Sequence, residues 1–215
     1  MKLLVVGSTG GSGLDVIKEA LSRNHEVVAL ARSPNKVTIQ HANLKVVKGN
    51  VFEPHDLEGP IAECDAVISC LGCNAGFLGR TPTTFYSDSM TSLTTAMRAV
   101  NKTRIVCMSS WCTKPAERTL WVAEWIMRPL VIGNLLKNLS EMENDLEQKC
   151  SDLDWTVVRA PGLYNADSSG KEIKTEEYQF VTGSPIWIPR RDVAIFILNC
   201  IEKNEWTKKI IAIGL

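Results

Sequence analysis

Residues 3–13 read LLVVGSTGGSG, a short apolar run followed at once by four glycines within seven positions. The apolar run predicts a buried β-strand, and the spacing of apolar residues over 14–23 predicts a helix after it. Gly7 allows the chain to leave the strand in a tight turn, and Gly10 allows an anionic group to approach the backbone. Gly13 allows the helix to pack close to the strand.

This strand, turn and helix predict a loop that binds the pyrophosphate of a dinucleotide. The first N–H groups of a helix lack partners within it and point at a bound anion. The spacing is G-x-x-G-x-x-G rather than G-x-G-x-x-G, so the flanking strand and helix carry the prediction. The alternative is a glycine-rich turn that binds nothing. The predicted contacts are Gly7, Ser8, Thr9, Gly10, Gly11, Ser12 and Gly13.

Strand and helix patterns alternate along the chain, which predicts an α/β fold with a doubly wound parallel sheet of the Rossmann type. We expect one domain over residues 1–215, with segment 160–189 as a small cap on the substrate side. The predicted strands are Lys2–Val6, Glu26–Ala31, Leu44–Lys48, Asp65–Cys70, Arg104–Ser109, Trp155–Arg159 and Lys209–Gly214. The predicted helices are Gly11–Arg23, a short helical turn near Pro54–Ala62, Thr83–Val100, Pro115–Lys149 with interruptions near Pro129 and Gly133, and Arg191–Lys203.

Composition argues against several kinds of partner. Lys plus Arg and Asp plus Glu each number 24, so no basic excess is available for nucleic acid. The N-terminal sequence lacks the pattern of a secretory signal. The apolar stretch Leu120–Leu136 is interrupted by Glu124, Arg128 and Pro129, so we expect no membrane span. These features favour a cytoplasmic protein.

The chain has seven cysteines, an odd number that favours free thiols in a reducing compartment. Cys70-x-x-Cys73 allows a metal site or a redox dithiol as one interpretation. A zinc site would need a second pair or suitably spaced histidines, and the three histidines all precede Asp56. We therefore favour the interpretation that these cysteines are small buried side chains, and we expect no metal.

The loop after the second predicted strand contains a basic residue, Arg32, where NAD-binding folds place a carboxylate for the ribose hydroxyls. No Asp or Glu occurs between Val27 and Lys48. Arg32, with Ser33 and Lys36, therefore predicts binding of the 2′-phosphate of NADP. The alternative is a solvated basic loop.

Two further strand ends carry candidate contacts. Cys70, Leu71 and Gly72 end the fourth predicted strand, where loop backbone would meet the cofactor. Ser109 and Ser110 end the fifth, where the nicotinamide of a dinucleotide is expected. Ser110 is the candidate catalytic residue, as a hydrogen-bonding group, although a serine at a strand end is often only a turn cap. The chain contains no Tyr-x-x-x-Lys, the proton-donor pair of ordinary ketone reduction.

Taken in this order, the motifs resemble the atypical short-chain dehydrogenase/reductase proteins, and most of all their NmrA-like and flavin reductase/biliverdin IX-beta reductase branch. Further matches are Gly49-Asn50-Val51, the stretch LDWTVVRAP over 153–161, and Arg191-Asp192-Val193-Ala194. The resemblance implies cofactor contacts from Asn50, Val51 and Pro161. The chain departs from the branch where Asn50 replaces an Asp and Gly162 replaces a His.

The resemblance implies two alternative functions. The first is an NADPH-dependent reductase of a planar acceptor such as a flavin, a biliverdin-like molecule or a quinone. Its hydride passes directly to the acceptor near Ser110, and solvent supplies the proton. The second is a regulator that binds NADP(H) without turnover and presents the apolar stretch Trp111–Leu136 to a protein partner.

Overall fold

A computed structural model describes residues 1–72, 82–114 and 133–215 of the chain. Within them, strands and helices alternate as the sequence predicts. The strands are β1 (Lys2–Val6), β2 (Glu26–Ala31), β3 (Leu44–Lys48), β4 (Ala66–Ser69), β5 (Arg104–Ser110), β6 (Asp154–Ala160), β7 (Gly162–Tyr164), β8 (Lys174–Glu176), β9 (Trp187–Pro189) and β10 (Lys209–Gly214). The helices are α1 (Gly11–Ser22), α2 (Pro54–Ala62), α3 (Phe85–Ala99), α4 (Gly133–Lys149) and α5 (Arg190–Glu202), with a 3₁₀ turn at Pro34–Lys36.

Eight of the described strands form one sheet in the order β3-β2-β1-β4-β5-β6-β10-β8. Neighbouring strands are parallel except for the pair of β10 and β8. The order reverses between β1 and β4, because the chain first moves outward to β3 and then returns to the other side of β1. Such a reversal opens a crevice at the carboxyl ends of the strands. The doubly wound parallel sheet predicted from the sequence is confirmed.

An apolar layer covers each face of the sheet. Along β1, Leu4 and Val6 pack on the face that carries α2, α3 and α4. Leu3 and Val5 pack on the opposite face, with α1 and α5. All four side chains are fully buried. Because both faces are covered, the central strand is apolar at every position from Leu3 to Val6 rather than at alternate ones.

Segment 160–189 contains three short strands that the sequence pattern did not reveal. β7 pairs in parallel with β9 outside the main sheet, and β8 adds an antiparallel edge to β10. Asp192 in the first turn of α5 is 2% exposed and accepts hydrogen bonds from the hydroxyls of Ser168 and Ser169. This carboxylate therefore fastens the segment, which we call the cap, to α5.

Several boundaries differ from the sequence-based prediction by one or two residues, as frayed element ends allow. The strand predicted at Asp65–Cys70 covers Ala66–Ser69, and the helix predicted at Thr83–Val100 covers Phe85–Ala99. The helix predicted over Pro115–Lys149 lies partly outside the described residues; its described part is α4. Among the described helices, none combines the length and apolarity needed to cross a membrane.

Candidate functional site

The turn after β1 is built around two glycines that a larger residue could not replace without movement of the backbone. Gly7 has a φ of +75°, and a Cβ there would overlap the backbone carbonyl of Cys70. A Cβ on Gly13 would overlap the carbonyl of Gly7. Helix α1 therefore begins in direct backbone contact with the turn, which is the packing role that the sequence predicts for Gly13.

Gly10 differs from these two glycines. It has φ −84° and ψ 160°, which any residue adopts, and the nearest heavy atom to a Cβ would be the Gly7 carbonyl oxygen at 3.5 Å. The Gly10 N–H donates to that oxygen at 3.1 Å, and its own carbonyl accepts from the Leu14 N–H at 2.9 Å. An open face in front of Gly10 and the N–H groups of the first turn of α1 form a cradle that fits a pyrophosphate.

The other loop residues divide into exposed and buried positions. Thr9 and Gly11 are exposed, and Ser12 is half-buried at the start of α1. Ser8 is 1% exposed, and its hydroxyl donates to the carbonyl of Leu30 at 2.7 Å. The Ser8 hydroxyl therefore ties the loop to β2, so a cofactor contact predicted for Ser8 would have to come from its backbone.

An open cleft lies in front of the loop, at the carboxyl ends of β1, β2, β3 and β4. Two aromatic rings that the sequence analysis missed, Phe52 and Phe85, line it edge to face with their centroids 5.5 Å apart. Their signal in the sequence is an aromatic residue just beyond a predicted strand and another at a helix start. The predicted cofactor residues that line the cleft are Gly7, Thr9, Arg32, Val51, Leu71 and Gly72.

Arg32 follows β2 directly, is exposed and lines the cleft. Within the described part of the chain, its guanidinium has no side-chain hydrogen bond or ion pair. Ser33 precedes the 3₁₀ turn and Lys36, which is exposed, ends it. The loop after β2 thus holds a cation at the mouth of the cleft without a carboxylate to neutralise it.

Asn50 lies beside the cleft in a tight turn after β3. Its side-chain oxygen accepts from the Phe52 N–H at 3.3 Å, and its own N–H donates to the Asp56 carboxylate at 2.8 Å. A carbonyl-type oxygen has two lone pairs, so one acceptor position of Asn50 remains for a ligand. The adenine contact implied for Asn50 stays a prediction.

Ser110 is the last residue of β5 and stands in register with Ala160, the last residue of β6. It is half-buried, and its hydroxyl makes no hydrogen bond with any described residue. Pro161, which follows Ala160, is buried. The hydroxyl of Ser110 is therefore available at the strand ends where the nicotinamide is expected.

Ser109 points to the opposite face of β5, because side chains alternate along a strand. It is 8% exposed, and its hydroxyl donates to Glu143 of α4 at 2.7 Å. Glu143 is fully buried and receives two hydrogen bonds from Arg159, at 3.0 and 2.7 Å. Thr113 donates to the same carboxylate at 2.8 Å. The Ser109 hydroxyl, predicted to contact the cofactor, thus belongs to a buried ion-pair network that joins α4 to β5 and β6.

The thiols of Cys70, just after β4, and of Cys107, within β5, are shielded from solvent. Burial raises the pKa of Cys70 to about 12, and burial together with nearby Glu143 raises the pKa of Cys107 further. Such thiols stay protonated at neutral pH and are poor nucleophiles. Cys73 lies outside the described residues, and the described residues contain no cluster of His, Cys, Asp and Glu that could hold a metal ion.

The cap presents aromatic surface close to the end of β6. Trp187 of β9 pairs with Gly162 of β7, and a Cβ on Gly162 would come within 2.5 Å of the indole ring. The indole therefore occupies the space of a side chain at position 162, yet Trp187 remains 56% exposed. Ile186 is also 56% exposed and Tyr164 is 42% exposed.

The chain has relatives among known proteins. The chain is 28% identical over 222 residues to the photosystem II assembly factor Ycf39 of Synechocystis, covering 97% of the chain and 61% of that protein, less than two thirds of its length. It is 25% identical to the uncharacterised protein YwnB of Bacillus subtilis, covering 95% of the chain and 94% of YwnB. It is also 25% identical to the chloroplastic divinyl chlorophyllide a 8-vinyl-reductase of Arabidopsis thaliana, covering 100% of the chain but only 53% of the reductase.

Solved structures confirm the fold. A short-chain dehydrogenase/reductase of Veillonella parvula in complex with NADP superposes with a TM-score of 0.77 at 18% identity, covering 100% of this chain and 94% of that one. A Streptococcus pneumoniae protein provisionally described as an NADH-flavin reductase gives 0.78 at 24% identity, covering 100% and 99%. A family model described as NAD(P)H-binding matches residues 7–204. The glycine cradle, the cleft and this match together show that the chain belongs to the NAD(P)H-binding family.

Proposed function

We propose that this protein is an NADPH-dependent reductase that transfers hydride to a planar conjugated acceptor, such as a flavin, a biliverdin-like molecule or a quinone. The observation that carries the proposal is the arrangement of the carboxyl edge of the sheet. A glycine cradle and Arg32, which no described side chain pairs with, flank the cleft. Ser110 ends β5 in register with Ala160 of β6, and two residues further on Gly162 pairs with the exposed Trp187 of the cap.

The cofactor half of the proposal rests on charge. The cradle at Gly10 suits a pyrophosphate, and the cleft walls at Phe52 and Phe85 suit an adenine ring. Arg32 supplies a guanidinium where a carboxylate would favour NAD. The exposed Lys36 adds positive charge to the same loop. We therefore propose NADPH rather than NADH as the preferred cofactor.

The proposed acceptor is inferred from the exposed indole of Trp187 and from the free hydrogen-bonding capacity of Ser110 toward the described residues. The exposed indole of Trp187 offers a flat apolar face, which favours a planar partner over an aliphatic one. Ser110 offers one neutral hydroxyl that can orient the acceptor or the carboxamide of the cofactor. NADPH, when bound, supplies the hydride. The residues of this chain bind and align the two reactants, and solvent supplies the proton, so positioning provides most of the rate.

Two relatives support the reductase class by their names. One is the 8-vinyl-reductase of Arabidopsis, and the other is the Streptococcus pneumoniae protein described as an NADH-flavin reductase. The name of the first gives a chlorophyllide as its substrate, and the description of the second gives a flavin provisionally. The present chain is proposed to share hydride transfer with them, and the acceptor is to be found by experiment.

The test is oxidation of NADPH by the purified chain with a panel of acceptors that contains FMN, biliverdin and a soluble quinone. We expect turnover with at least one of them and a lower KM for NADPH than for NADH. Gly10→Val is the matched control, because its backbone conformation tolerates a side chain while the cradle is filled. Turnover that survives in this variant would contradict the proposed site.

A regulator that binds NADP(H) without turnover is the second candidate. The relative named as a photosystem II assembly factor favours it. The proposed partner surface Trp111–Leu136 begins and ends in buried residues, since Trp111 is 6% and Leu136 is 1% exposed; its middle lies outside the described residues. Tight NADPH binding with no oxidation by any acceptor in the panel would favour this candidate over the reductase.

A further inference from the structure

Arg190, the first residue of α5, has a side chain that lies across the glycine loop. Its Cδ and Nε atoms are 3.1 Å from the position that a Cβ on Gly11 would take. Its Nη1 donates to the side-chain oxygen of Asn165 in the cap at 2.7 Å. We propose that Arg190 binds the pyrophosphate of the cofactor and ties that contact to the cap; this inference rests on the dinucleotide site of the proposed function.

No carboxylate in the described part of the chain forms an ion pair with Arg190. Its neighbour Arg191 forms an ion pair with Glu19 at 2.6 Å, and Asp192 accepts the hydroxyls of Ser168 and Ser169. Among the described residues, the hydrogen-bond partner of Arg190 is the neutral Asn165. The acidic residue of α1 closest to Gly11 is Asp15, which pairs with Lys18 at 3.8 Å. Asp15, Glu19 and Asp192 therefore each have another described partner.

The position itself makes an anion more favourable there. A helix carries partial positive charge at its N terminus, and the N termini of α1 and α5 both lie at this point. The Arg190 guanidinium adds its positive charge to the partial positive charge of these helix ends. A pyrophosphate bound at the α1 N terminus would neutralise the Arg190 guanidinium and the partial charge of that helix end, whereas the α5 N terminus already has the Asp192 carboxylate in its first turn.

The chemistry of the guanidinium suits this role. It is planar, stays charged and presents five N–H donors that match phosphate oxygens. Asn165 uses a donor on Nη1, which leaves donors on Nε and Nη2 for a ligand. Because Gly11 has no side chain, the guanidinium can lie against the loop; a Cβ at 3.1 Å would push it away. Arg190 and Arg32 thus serve different phosphates of one cofactor.

Arg190 and Arg32 can be tested separately, because Arg190 is proposed to bind the pyrophosphate and Arg32 the 2′-phosphate. We would measure calorimetric affinities for NADPH, NADH, ADP and adenosine 2′-monophosphate with Arg190→Gln, Arg190→Ala and the control Arg191→Gln. Both Arg190 variants are expected to bind NADPH, NADH and ADP about tenfold or more weakly, with adenosine 2′-monophosphate unchanged. Arg32→Ala is expected to weaken adenosine 2′-monophosphate and NADPH and to spare ADP and NADH. Arg191→Gln is expected to bind all four as the wild type does.

The results distinguish failure of the Arg190 inference from failure of the proposed function. If the wild type binds NADPH and the Arg190 variants bind ADP within twofold of it, the Arg190 inference is wrong and the proposed function stands. If Arg191→Gln loses as much affinity as Arg190→Gln, the effect is one of general charge and the inference is also wrong. If the wild type binds no dinucleotide, the proposed function fails and the inference falls with it. Thermal unfolding of each variant confirms that a folded protein was measured.

Discussion

The two ends of the candidate site are built in opposite ways. At the glycine loop, Gly7 and Gly13 bring backbone against backbone, and the polar groups facing the cleft remain open. At the ends of β5 and β6, the polar side chains on the α4 face close on one another, with Ser109 and Arg159 both bound to buried Glu143. At the glycine loop, the lack of side chains leaves room for a ligand. At the ends of β5 and β6, a buried ion pair between Glu143 and Arg159 fills the space. The predictions below test this contrast.

The largest effect is expected from Glu143→Ala. The change leaves the Arg159 guanidinium, whose side chain is 5% exposed, without its carboxylate. Breaking one side of a buried pair costs about 3–5 kcal/mol of unfolding free energy. Urea unfolding measures this loss. The matched control in the same helix is Glu147→Ala, whose exposed pair with Lys114 contributes about 0–1 kcal/mol.

A double variant tests whether the instability of Glu143→Ala comes from the unpaired charge of Arg159. Removing both charges together, as Glu143→Leu with Arg159→Leu, is expected to restore part of the lost stability, because no unpaired charge remains buried. Equal losses from Glu143→Ala and Glu147→Ala would show that the network does not stabilise this end of the site.

Gly10→Val is expected to weaken NADPH binding by about a hundredfold or more while the chain folds normally. The valine side chain would stand in the open face where the pyrophosphate must approach, and its backbone conformation is unstrained. About a hundredfold corresponds to about 2.7 kcal/mol. Calorimetry gives the affinity, and urea unfolding gives the stability. Gly13→Val is the contrasting variant, since its side chain would collide with the Gly7 carbonyl and destabilise the fold itself.

Arg32→Ala is expected to reduce affinity for NADPH by about tenfold or more and to leave NADH nearly unchanged. A charge-assisted contact to the 2′-phosphate contributes about 1.5–3 kcal/mol, and NADH lacks that phosphate. Isothermal titration with both cofactors measures the ratio. Equal losses for the two cofactors would contradict the assignment of Arg32 and would mean that the loop after β2 is only a solvated basic turn.

The contrast also explains which features could be predicted from the sequence. The order of the strands and the glycine turn depend on local patterns, namely apolar runs and residues without Cβ, and these are visible in one stretch of chain. The place of Arg32 at the cleft could be predicted because it directly follows a predicted strand, and its contact with a 2′-phosphate stays a prediction. Phe52, Phe85 and Trp187 could not, because their rings meet residues far away in the chain.

The role of Ser109 also could not be predicted from the sequence, because it depends on a contact with a distant residue. A serine at a strand end gives no indication of which face it occupies, and only the register of β5 with α4 and β6 assigns it to Glu143. Arg190 was missed for a related reason. Its neighbours Arg191 and Asp192 belong to the motif that carries the family resemblance, and the arginine before them contacts Gly11, which is far away in sequence.

The smallest effect is expected at Ser110, and the adjacent Ser109 provides its control. Ser110→Ala removes a hydroxyl that no described residue engages, so its loss affects only bound reactants. One neutral hydrogen bond contributes about 0.5–1.5 kcal/mol, which predicts turnover about threefold to tenfold lower with NADPH affinity unchanged. Ser109→Ala removes a donor to Glu143 and is expected to lower stability instead, with turnover of the folded fraction retained. Steady-state kinetics with the best acceptor, together with urea unfolding of both variants, separates the two roles. A loss of several thousandfold at Ser110 would reveal a proton relay through this hydroxyl and would replace protonation by solvent in the proposed mechanism.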